Sequence, residues 1–519
     1  GKKLVSSETG TWLANHFKVS LSQIKPQIDE LFLGGINHIF YHGTTYSPVA
    51  DPYPGWLFYA STNFGPTSHF APHLKYLNQY VERCQSILQE STSDNDILVY
   101  FPIHDLWSKP SKSSGGVHLL EVHHVDRWLL DLPFGKLSQK LWNEGYSFDF
   151  VSDRQLTQLK ADGKGNVVSK ATTYKTILVP SVRYMSKETL EVLTKLAKSG
   201  IRIIFDQNLP EAATGFYKNE TTQKEFKTLT TGLSKMKNIQ VGDGLQKMLA
   251  KNGVVQEEIS GKGLTYLRKK TNDGKAFYFV SNMANAFNES WIHLGKIGKV
   301  TRFDPLTNTY TDLPNRIQAG KEEVYLKLLP GQSCFLQWSK GAEVIEKVLV
   351  QQQFELNGNW TLEFLKGRPT SPEPVKMDRL ISWTETSDSA VYFSGTAKYS
   401  LQFDAPQSVL NKESLQLDLG QVCEIADVKL NGVSLGTLWS IPFVMDFKSS
   451  LLKETGNILE VEVTNLSANY MRLRDKQSPD WKKFYDINMA DITYKKFDAS
   501  SWKPMPSGLL GPVKILYSK

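Results

Sequence analysis

The spacing of apolar residues changes along the chain. From the start to about residue 258, short apolar runs alternate with segments in which apolar residues recur every three or four positions, as in amphipathic helices. Beyond that point the helical spacing disappears, and short apolar segments follow one another between turn residues. The pattern predicts an α/β region followed by β domains, so the predicted fold class is multidomain α/β plus β.

The first 90 residues begin with a strand, a helix and a second strand. Residues 3–7 and 36–41 are predicted strands, and residues 21–32 carry apolar side chains at helical spacing, followed by two glycines. Short joints between such elements indicate a βαβ unit with parallel strands and a right-handed crossover. A further helix is predicted over residues 74–89.

Residues 91–258 repeat this alternation several times. Alternation of this kind is typical of an open, doubly wound α/β domain with a flavodoxin-like order of elements. The predicted strands cover residues 97–101, 147–151, 176–180 and 201–205, and the predicted helices cover residues 133–144, 186–199 and 244–251.

The rest of the chain is predicted to be β structure. A small β domain is expected over residues 259–345, with strands at 276–280, 299–303, 324–329 and 334–338. From residue 346 to 519, short strands repeat between turn signals, and Asn431-Gly432 is a strong hairpin signal. We predict that this last domain is a β-sandwich of jelly-roll type.

Length and composition narrow the class of protein. At 519 residues, the chain has room for about three or four domains, and no apolar window is long enough to span a bilayer. The formal charge of +7 is small for this length and the lysines are dispersed, so we expect no nucleic-acid binding. Cys84, Cys334 and Cys423 lie far apart, which favours neither a disulfide framework nor a thiolate zinc site. Because no signal peptide precedes the first predicted strand, we expect either a cytoplasmic protein or a trimmed piece of a longer one.

The polar chemistry is concentrated near the N-terminus. Glu8 follows the first predicted strand, with Trp12 and His16 just beyond it. A carboxylate beside an indole suits sugar hydrolysis, in which one carboxyl donates a proton to the leaving oxygen and another activates water or attacks the sugar. The alternative is a surface carboxylate that caps or pairs at a strand end.

A second polar cluster follows the second predicted strand. Hydrogen-bonding side chains on or just beyond an apolar strand are expected to line a polar cleft. For His38, in the middle of the strand, a satisfied buried network is the alternative, whereas His42 at the strand end is the better candidate for ligand contact. The cluster comprises Asn37, His38, Tyr41 and His42, with Tyr46 shortly after.

Several segments together resemble the alpha-L-rhamnosidases of glycoside hydrolase family 106. They are SSETGTW at residues 6–12, GGINHIFYHGTTYSP at residues 34–48, the aromatic loop through His69 and His73, and YVERCQ at residues 80–85. The resemblance implies that residues 1–90 are the C-terminal part of a (β/α)8 catalytic barrel, its strands seven and eight. Residues 91–258 resemble the amidotransferase-like accessory domain of some beta-galactosidases, and the last domain resembles a sugar-binding-type jelly roll.

The resemblance also implies a function. Members are inverting enzymes, secreted or periplasmic and common in gut Bacteroidetes, that remove rhamnose from plant polysaccharides. Glu8 then corresponds to the general base that activates water. The candidate substrate-binding residues are Trp12, His16, Asn37, His38, Tyr41, His42 and Tyr46. Members bind calcium at the active site, but no oxygen-rich ligand set can be assigned in this sequence.

The resemblance covers only part of a catalytic barrel. A complete barrel has eight strands, whereas two are predicted before residue 90. The general acid of the family has no counterpart here, so we expect the chain alone to have negligible glycosidase activity. We expect a missing N-terminal portion of the barrel, or a second copy of the chain, to cover the exposed strand edges.

Two other readings remain open. In one, the chain is a noncatalytic carbohydrate-binding or scaffolding fragment; in the other, it belongs to a beta-galactosidase-like retaining enzyme with Glu8 as nucleophile. Residues 91–258 offer neither a nucleophilic Cys at a strand-to-helix turn nor a Gly-rich phosphate loop, so we expect a structural domain. Its residues His104, Asp105 and Trp107 are expected to border the barrel cleft.

Overall fold

The computed structural model describes residues 2–51, 53–108, 125–170, 172–216, 218–295, 298–338, 351–483 and 489–518. The described residues form parallel and antiparallel sheets together with helices, which confirms the predicted mixed α/β and β architecture. They contain no closed barrel. The predicted domain boundary at residue 345 lies outside the described residues.

The N-terminal unit contains a pair of parallel strands. Strands β1 (Ser6–Thr9) and β2 (His38–Tyr41) pair in register from Ser6 opposite His38 to Thr9 opposite Tyr41, and helix α1 (Leu21–Leu33) connects them. A 3-10 turn (Ala71–His73) precedes helix α2 (Leu74–Gln89). The first strand begins three residues later than predicted, and ahead of it the Asn37 side chain binds the main chain of Lys3 and Val5.

An open parallel sheet follows in the next unit. Strands in this part of the chain are β3 (Ser91–Ser93), β4 (Ile97–Tyr100), β5 (Phe148–Val151), β6 (Lys160–Ala161), β7 (Val167–Val168), β8 (Thr173–Tyr174), β9 (Thr176–Val179), β10 (Tyr184–Met185), β11 (Ile203–Asp206), β12 (Ala212–Ala213) and β13 (Ile239–Gly242). The parallel sheet has the order β13-β11-β9-β4-β5, and a buried apolar cluster covers each of its two faces. Strands buried on both faces explain the continuous apolar runs in the sequence.

Helices pack on both faces of this sheet. The helices in this part of the chain are α3 (Ile103–Trp107), α4 (Val125–Trp128), α5 (Pro133–Asn143), α6 (Asp153–Leu156), α7 (Lys187–Lys198), α8 (Asn219–Leu233), α9 (Leu245–Lys251) and α10 (Glu258–Gly261). Of these, α6, α7 and α8 contribute to the apolar cluster on one face of the sheet, and α5 and α9 contribute to the cluster on the other. The sequence pattern did not predict α8 or β13. Helix α8 fully buries only Phe226 and Leu233, so its apolar spacing is weak.

The third unit is antiparallel. Its strands are β14 (Thr265–Thr271), β15 (Ala276–Ser281), β16 (Asn288–His293), β17 (Val300–Asp304), β18 (Thr309–Asp312), β19 (Asn315–Gln318), β20 (Lys321–Leu328) and β21 (Ser333–Trp338). A six-stranded sheet has the order β18-β17-β21-β15-β14-β3, and a three-stranded sheet has the order β16-β20-β19. One face of the six-stranded sheet packs on α1 and α2 through Phe277, Phe279, Phe303 and Phe335.

The C-terminal unit consists of two main sheets that share one apolar core. Its strands are β22 (Gln351–Glu355), β23 (Trp360–Arg368), β24 (Val375–Met377), β25 (Ser394–Phe403), β26 (Ser414–Asp418), β27 (Gln421–Cys423), β28 (Ile425–Leu430), β29 (Val433–Leu438), β30 (Val444–Lys448), β31 (Asn457–Thr464), β32 (Gly508–Gly511) and β33 (Lys514–Ser518). The sheets have the orders β22-β33-β26-β30 and β24-β23-β25-β31-β28-β29. The predicted hairpin turn at Asn431-Gly432 joins β28 to β29, and both turn residues have positive φ angles.

Short helices complete this unit. They are α11 (Gln407–Leu410), α12 (Ala468–Gln477) and 3-10 turns at Trp383–Glu385, Ala390–Tyr392, Ser449–Leu451 and Pro479–Trp481. Helix α12 belongs to a long insertion between β31 and β32, which packs on the N-terminal unit. In the described ranges, every helix is too short or too polar to cross a lipid bilayer.

Candidate active site

The two faces of the β1–β2 pair differ in their surroundings. Side chains alternate between the faces of a strand, and Glu8 lies opposite Phe40 in the parallel register. Ile39 and Tyr41 point to the other face, where they pack against the core formed with α1 and α2. Glu8 and Phe40 are exposed, so the face that carries them is not covered by the helices.

Glu8 lies at the carboxyl end of β1, beside a hydroxyl and an imidazole. Its side chain is 63% exposed. The Thr11 hydroxyl donates a hydrogen bond of 2.5 Å to Glu8 Oε1, and His42 Nδ1 lies 3.5 Å from the same oxygen. Thr11 Oγ1 and His42 Nδ1 are 3.2 Å apart. The carboxylate is therefore oriented by two neighbours and remains open to water and to a ligand.

His42 reaches Glu8 because β1 and β2 are parallel. The carboxyl ends of parallel strands meet at one edge of a sheet, and His42 is the first residue after β2. Its main-chain N–H donates to the Thr9 carbonyl, 2.8 Å away, and its ring lies edge-on to Phe58, with ring centroids 5.4 Å apart. The sequence analysis named Glu8 and His42 as separate candidates, and the structure places the two side chains next to each other.

Trp12 joins an aromatic group next to this edge. Its ring lies edge-on to those of Tyr59 and Tyr494, with centroid distances of 5.5 Å and 5.2 Å. His16 is only 4% exposed and packs behind this group against Phe497. Burial lowers the pKa of His16 to about 4, although a contact with the Ala490 main chain acts in the other direction. The structure therefore places Trp12 beside the exposed edge and His16 in the interior.

Asn37, one of the predicted substrate-binding residues, has a structural contact instead of an exposed position. Asn37 is buried, and its amide accepts from Val5 N and donates to the Lys3 carbonyl, each at 2.8 Å. This amide therefore holds the main chain ahead of β1 in place, a task that the sequence pattern did not indicate.

His38, Tyr41 and Tyr46 have three different surroundings. His38 shares the face of Glu8, where its Nδ1 lies 3.1 Å from Ser6 Oγ. Tyr41 lies on the opposite face and stacks on Phe64, and burial raises the pKa of its phenol. Tyr46 is 84% exposed. Of the strand residues predicted to bind substrate, only His38 and His42 therefore lie on the side of Glu8.

Three aromatic residues that contact Trp12 or His42 were not predicted. Phe58 and Tyr59 come from the loop between β2 and α2, whose richness in aromatic residues was the available signal. Tyr494 comes from the insertion in the C-terminal unit, and no sequence pattern links it to Glu8. Contacts between segments so far apart in the chain become visible only in the folded protein.

Calcium does not fit the residues around Glu8. Calcium takes six to eight oxygen ligands, usually with several carboxylates. In the ranges that the structure describes, no three or more His, Cys, Asp or Glu side chains come together in a metal-binding arrangement. We therefore assign no calcium ligand in this chain.

A separate cleft lies in the parallel-sheet unit. It has a volume of about 470 Å³ and is lined by His104, Trp107 and Tyr184 together with residues 212–215. Asp105 is buried beneath it and accepts hydrogen bonds from the main chain of Arg183 and Tyr184. His104 and Trp107 therefore line a cleft in their own unit, and Glu8 is not among the residues that line it.

The chain is similar to alpha-L-rhamnosidases in both sequence and fold. The family model described as alpha-L-rhamnosidase matches residues 1–110 and 133–303. The solved structure of a rhamnosidase from Novosphingobium sp. PP1Y is similar, with a TM-score of 0.76 and 22% sequence identity. The match covers 99% of this chain and 48% of that chain, so the present chain spans about half the length of that protein.

A curated relative matches a smaller part. A putative beta-glucuronidase from Formosa agariphila is 36% identical over 188 residues, which is 32% of this chain and 16% of the relative. The alpha-L-rhamnosidase family model, in contrast, matches more than half of the chain, and the rhamnosidase structure matches nearly all of it. The chain therefore belongs to the alpha-L-rhamnosidase family, glycoside hydrolase family 106.

Proposed function

We propose that this chain supplies the water-activating half of an inverting alpha-L-rhamnosidase, with Glu8 as the general base. The observation that carries the proposal is the placement of Glu8. Its carboxylate is exposed at the carboxyl end of a parallel strand, on the uncovered face, and lies 3.5 Å from His42. Active sites of β/α barrels lie at this end of the strands.

The neighbours of Glu8 suit a base. A general base must be ionised and must hold a water molecule within hydrogen-bond reach of the carbon under attack. The Thr11 hydroxyl binds Oε1 and fixes the carboxylate plane, which leaves Oε2 to accept a proton from water. His42 lies beside Oε1 and is free to bind a sugar hydroxyl through its other ring nitrogen.

Protonation of the leaving oxygen requires another carboxyl group. In inverting enzymes, a general acid protonates the leaving oxygen from the opposite face of the sugar, about 6.5 to 9.5 Å from the base. We infer that this acid lies on a strand of the same barrel that this chain does not contain. The absence of a further strand beside β1 and β2 among the described residues supports this view.

The domain assignments follow from the same proposal. Residues 1–90 would be the C-terminal part of the barrel, 91–258 an amidotransferase-like domain, 259–345 a small β domain and 346–519 a jelly-roll sandwich. The barrel would act on rhamnose-containing glycans of plant origin, in the periplasm or outside the cell. The match to 48% of a rhamnosidase supports a protein of about twice this length.

Replacement of Glu8 in the full-length enzyme tests the assignment. We expect Glu8→Gln to lower kcat on an aryl alpha-L-rhamnoside by about 10²- to 10⁴-fold, with little change in KM, because the amide cannot accept the proton of water. Azide, which needs no base, should restore part of the rate. Glu90→Gln, at an exposed carboxylate that pairs with Lys3, is the matched control and should be fully active.

Two results would contradict the proposal. Full activity of Glu8→Gln would remove Glu8 from the chemistry. A product released with retained anomeric configuration, followed by NMR, would make Glu8 a nucleophile instead of a base.

A further inference from the structure

A loop of the C-terminal unit reaches the candidate active site. This loop, residues 489–497, is called the finger below. It lies in the insertion between β31 and β32. Two main-chain hydrogen bonds of 2.7 Å, from Asp491 N to the Lys495 carbonyl and from Phe497 N to the Met489 carbonyl, hold its two arms together. The finger is therefore a closed, hairpin-like loop.

The tip of the finger has a defined conformation. The Asp491 carboxylate accepts hydrogen bonds from Thr493 N, Thr493 Oγ1 and Lys495 N at 2.7, 2.6 and 3.1 Å. Tyr494 N donates to the Asp491 carbonyl at 2.9 Å, and Tyr494 has a φ of 62°. A residue other than glycine rarely adopts such an angle unless its surroundings require it. These hydrogen bonds therefore define the main-chain conformation at Tyr494.

The finger is anchored on the loop that follows Glu8. Ile492 N donates a hydrogen bond of 2.8 Å to Asn15 Oδ1. At its base, Met489 and Phe497 are buried in a small apolar core with Leu57. These contacts join the C-terminal unit to both loops that surround the carboxyl ends of β1 and β2.

A continuous series of contacts connects Tyr494 with Glu8. The ring of Tyr494 lies 5.2 Å from that of Trp12 and 6.3 Å from that of Tyr59. Tyr59 lies 4.9 Å from Phe58, whose ring in turn meets His42, the neighbour of Glu8. Tyr494 is 75% exposed, in contrast to the buried Phe497 at the base of the finger. An exposed ring that packs on neighbouring rings loses little conformational entropy when it binds a ligand.

We propose that Tyr494 binds the sugar unit next to the one that is hydrolysed, so that the finger of the C-terminal unit helps to select the glycan. This inference rests on the proposed function of Glu8. Trp12 and Tyr59 lie between Tyr494 and the Glu8–His42 pair in the series of contacts, so Tyr494 is further from the pair along this series than either ring. The ring would pack on the C–H face of that neighbouring sugar, and the phenol would hydrogen-bond to a sugar hydroxyl.

The test uses the full-length enzyme and two substrates. For this test, alpha-L-rhamnosyl fluoride is the substrate without a group in the position of the neighbouring sugar, whereas an alpha-L-rhamnosyl disaccharide fills that position. We expect Tyr494→Ala to raise KM for the disaccharide about tenfold, with kcat for the disaccharide and both constants for the fluoride within about twofold of the wild type. Tyr494→Phe should keep most of the disaccharide affinity, because it retains the ring.

Two further variants test the anchor of the finger and provide a control. Asn15→Ala removes the hydrogen bond that anchors the tip and should also raise KM for the disaccharide. Tyr310→Ala, at a 65% exposed tyrosine on β18, is the matched control and should leave both substrates unaffected. Disaccharide binding to the Glu8→Gln enzyme, measured by calorimetry, should weaken about tenfold when Tyr494→Ala is added.

The outcomes separate the two proposals. An unchanged disaccharide KM in Tyr494→Ala, or an equal loss on both substrates, would overturn the role of Tyr494. If the Tyr494 prediction fails but Glu8→Gln is inactive, the proposed function of Glu8 is retained and only the role of Tyr494 is rejected. Full activity of Glu8→Gln would instead overturn the proposed function, whatever the result for Tyr494.

Discussion

At the scale of single residues, burial divides the histidines near the candidate active site into two groups. Burial lowers the pKa of His16 to about 4 and that of His69 to about 3, so both rings are neutral near pH 7. His38 and His42 remain partly exposed on the side of Glu8. Contact with a sugar is therefore open to His38 and His42, whereas His16 serves as a packing residue.

The buried His16 makes stability depend on pH. Between about pH 6.5 and 4, the unfolded chain protonates this ring while the folded protein does not. The contribution of neutral, buried His16 to the free energy of unfolding is fully present above pH 6.5 and falls by about 3 kcal/mol by pH 4. We expect His16→Phe to remove this part of the pH dependence of the free energy of unfolding, measured by urea denaturation at several pH values.

A matched control isolates this effect. His104→Phe changes a half-buried ring in another unit and should keep the wild-type pH dependence. Burial raises the pKa of Glu424 to about 7, which makes stability fall with rising pH instead of increasing. The wild type, His16→Phe and His104→Phe all contain Glu424, so it does not affect the comparison. A His16→Phe protein with the wild-type pH dependence would show that His16 is not the group responsible.

The sequence predicted some site residues and missed others for clear reasons. Glu8 and His42 follow strands, and the parallel arrangement of those strands brings their carboxyl ends together. The sequence also pointed to Tyr41, but it did not show which face of β2 the helices cover. Tyr494 lies in a distant segment, so only the packing of the insertion brings it to Trp12.

At the scale of elements, a buried polar cluster fixes α1 on the six-stranded sheet. Lys25 Nζ donates to Asp29 Oδ2 and to the Gly331 carbonyl, each at 2.7 Å, and to Ser333 Oγ at 2.8 Å. The hydroxyl of Tyr80 on α2 donates to Asp29. Every member has a partner, so the cluster sets the position of α1 relative to the sheet and to α2.

Removal of one member should be costly. We expect Lys25→Met to lower the free energy of unfolding by about 3 to 5 kcal/mol, because Asp29 is left buried without its cation. The double variant Lys25→Met, Asp29→Leu should recover much of this loss, since no buried charge remains. Urea denaturation of the purified chain measures both.

An exposed ion pair provides the comparison. Lys275→Met breaks the pair with Asp273, in which both side chains are mostly exposed, and should leave the free energy of unfolding nearly unchanged, because water screens the charges. Equal losses in Lys25→Met and Lys275→Met would contradict the special role of the buried cluster.

At the scale of the whole molecule, the C-terminal unit packs on the N-terminal unit and leaves the Glu8 face open. Trp439 is buried against Tyr80 of α2, and Asp427 binds His73 at 3.2 Å. The insertion between β31 and β32 adds the finger. The later units thus support one side of the β1–β2 pair, while its other face carries Glu8 and the exposed Phe40.

This arrangement predicts that the purified chain is inactive by itself. If Glu8 is the base and the general acid lies outside these residues, turnover of an aryl alpha-L-rhamnoside should be no faster than that of the Glu8→Gln chain. Turnover by the wild-type chain that Glu8→Gln abolishes would show that the acid lies within these residues.

The sequence by itself determined the order of elements and the family. Helical and strand spacing depend on local side chains, so α1, α2 and most strands of the parallel sheet were predictable. Several short motifs in the right order were sufficient to indicate the family. Only the tertiary structure decided which face of β2 is covered, that His16 is buried and that Tyr494 stands beside Trp12. Those features depend on contacts between residues far apart in the chain, and the spacing of residues within a single segment carries no information about such contacts.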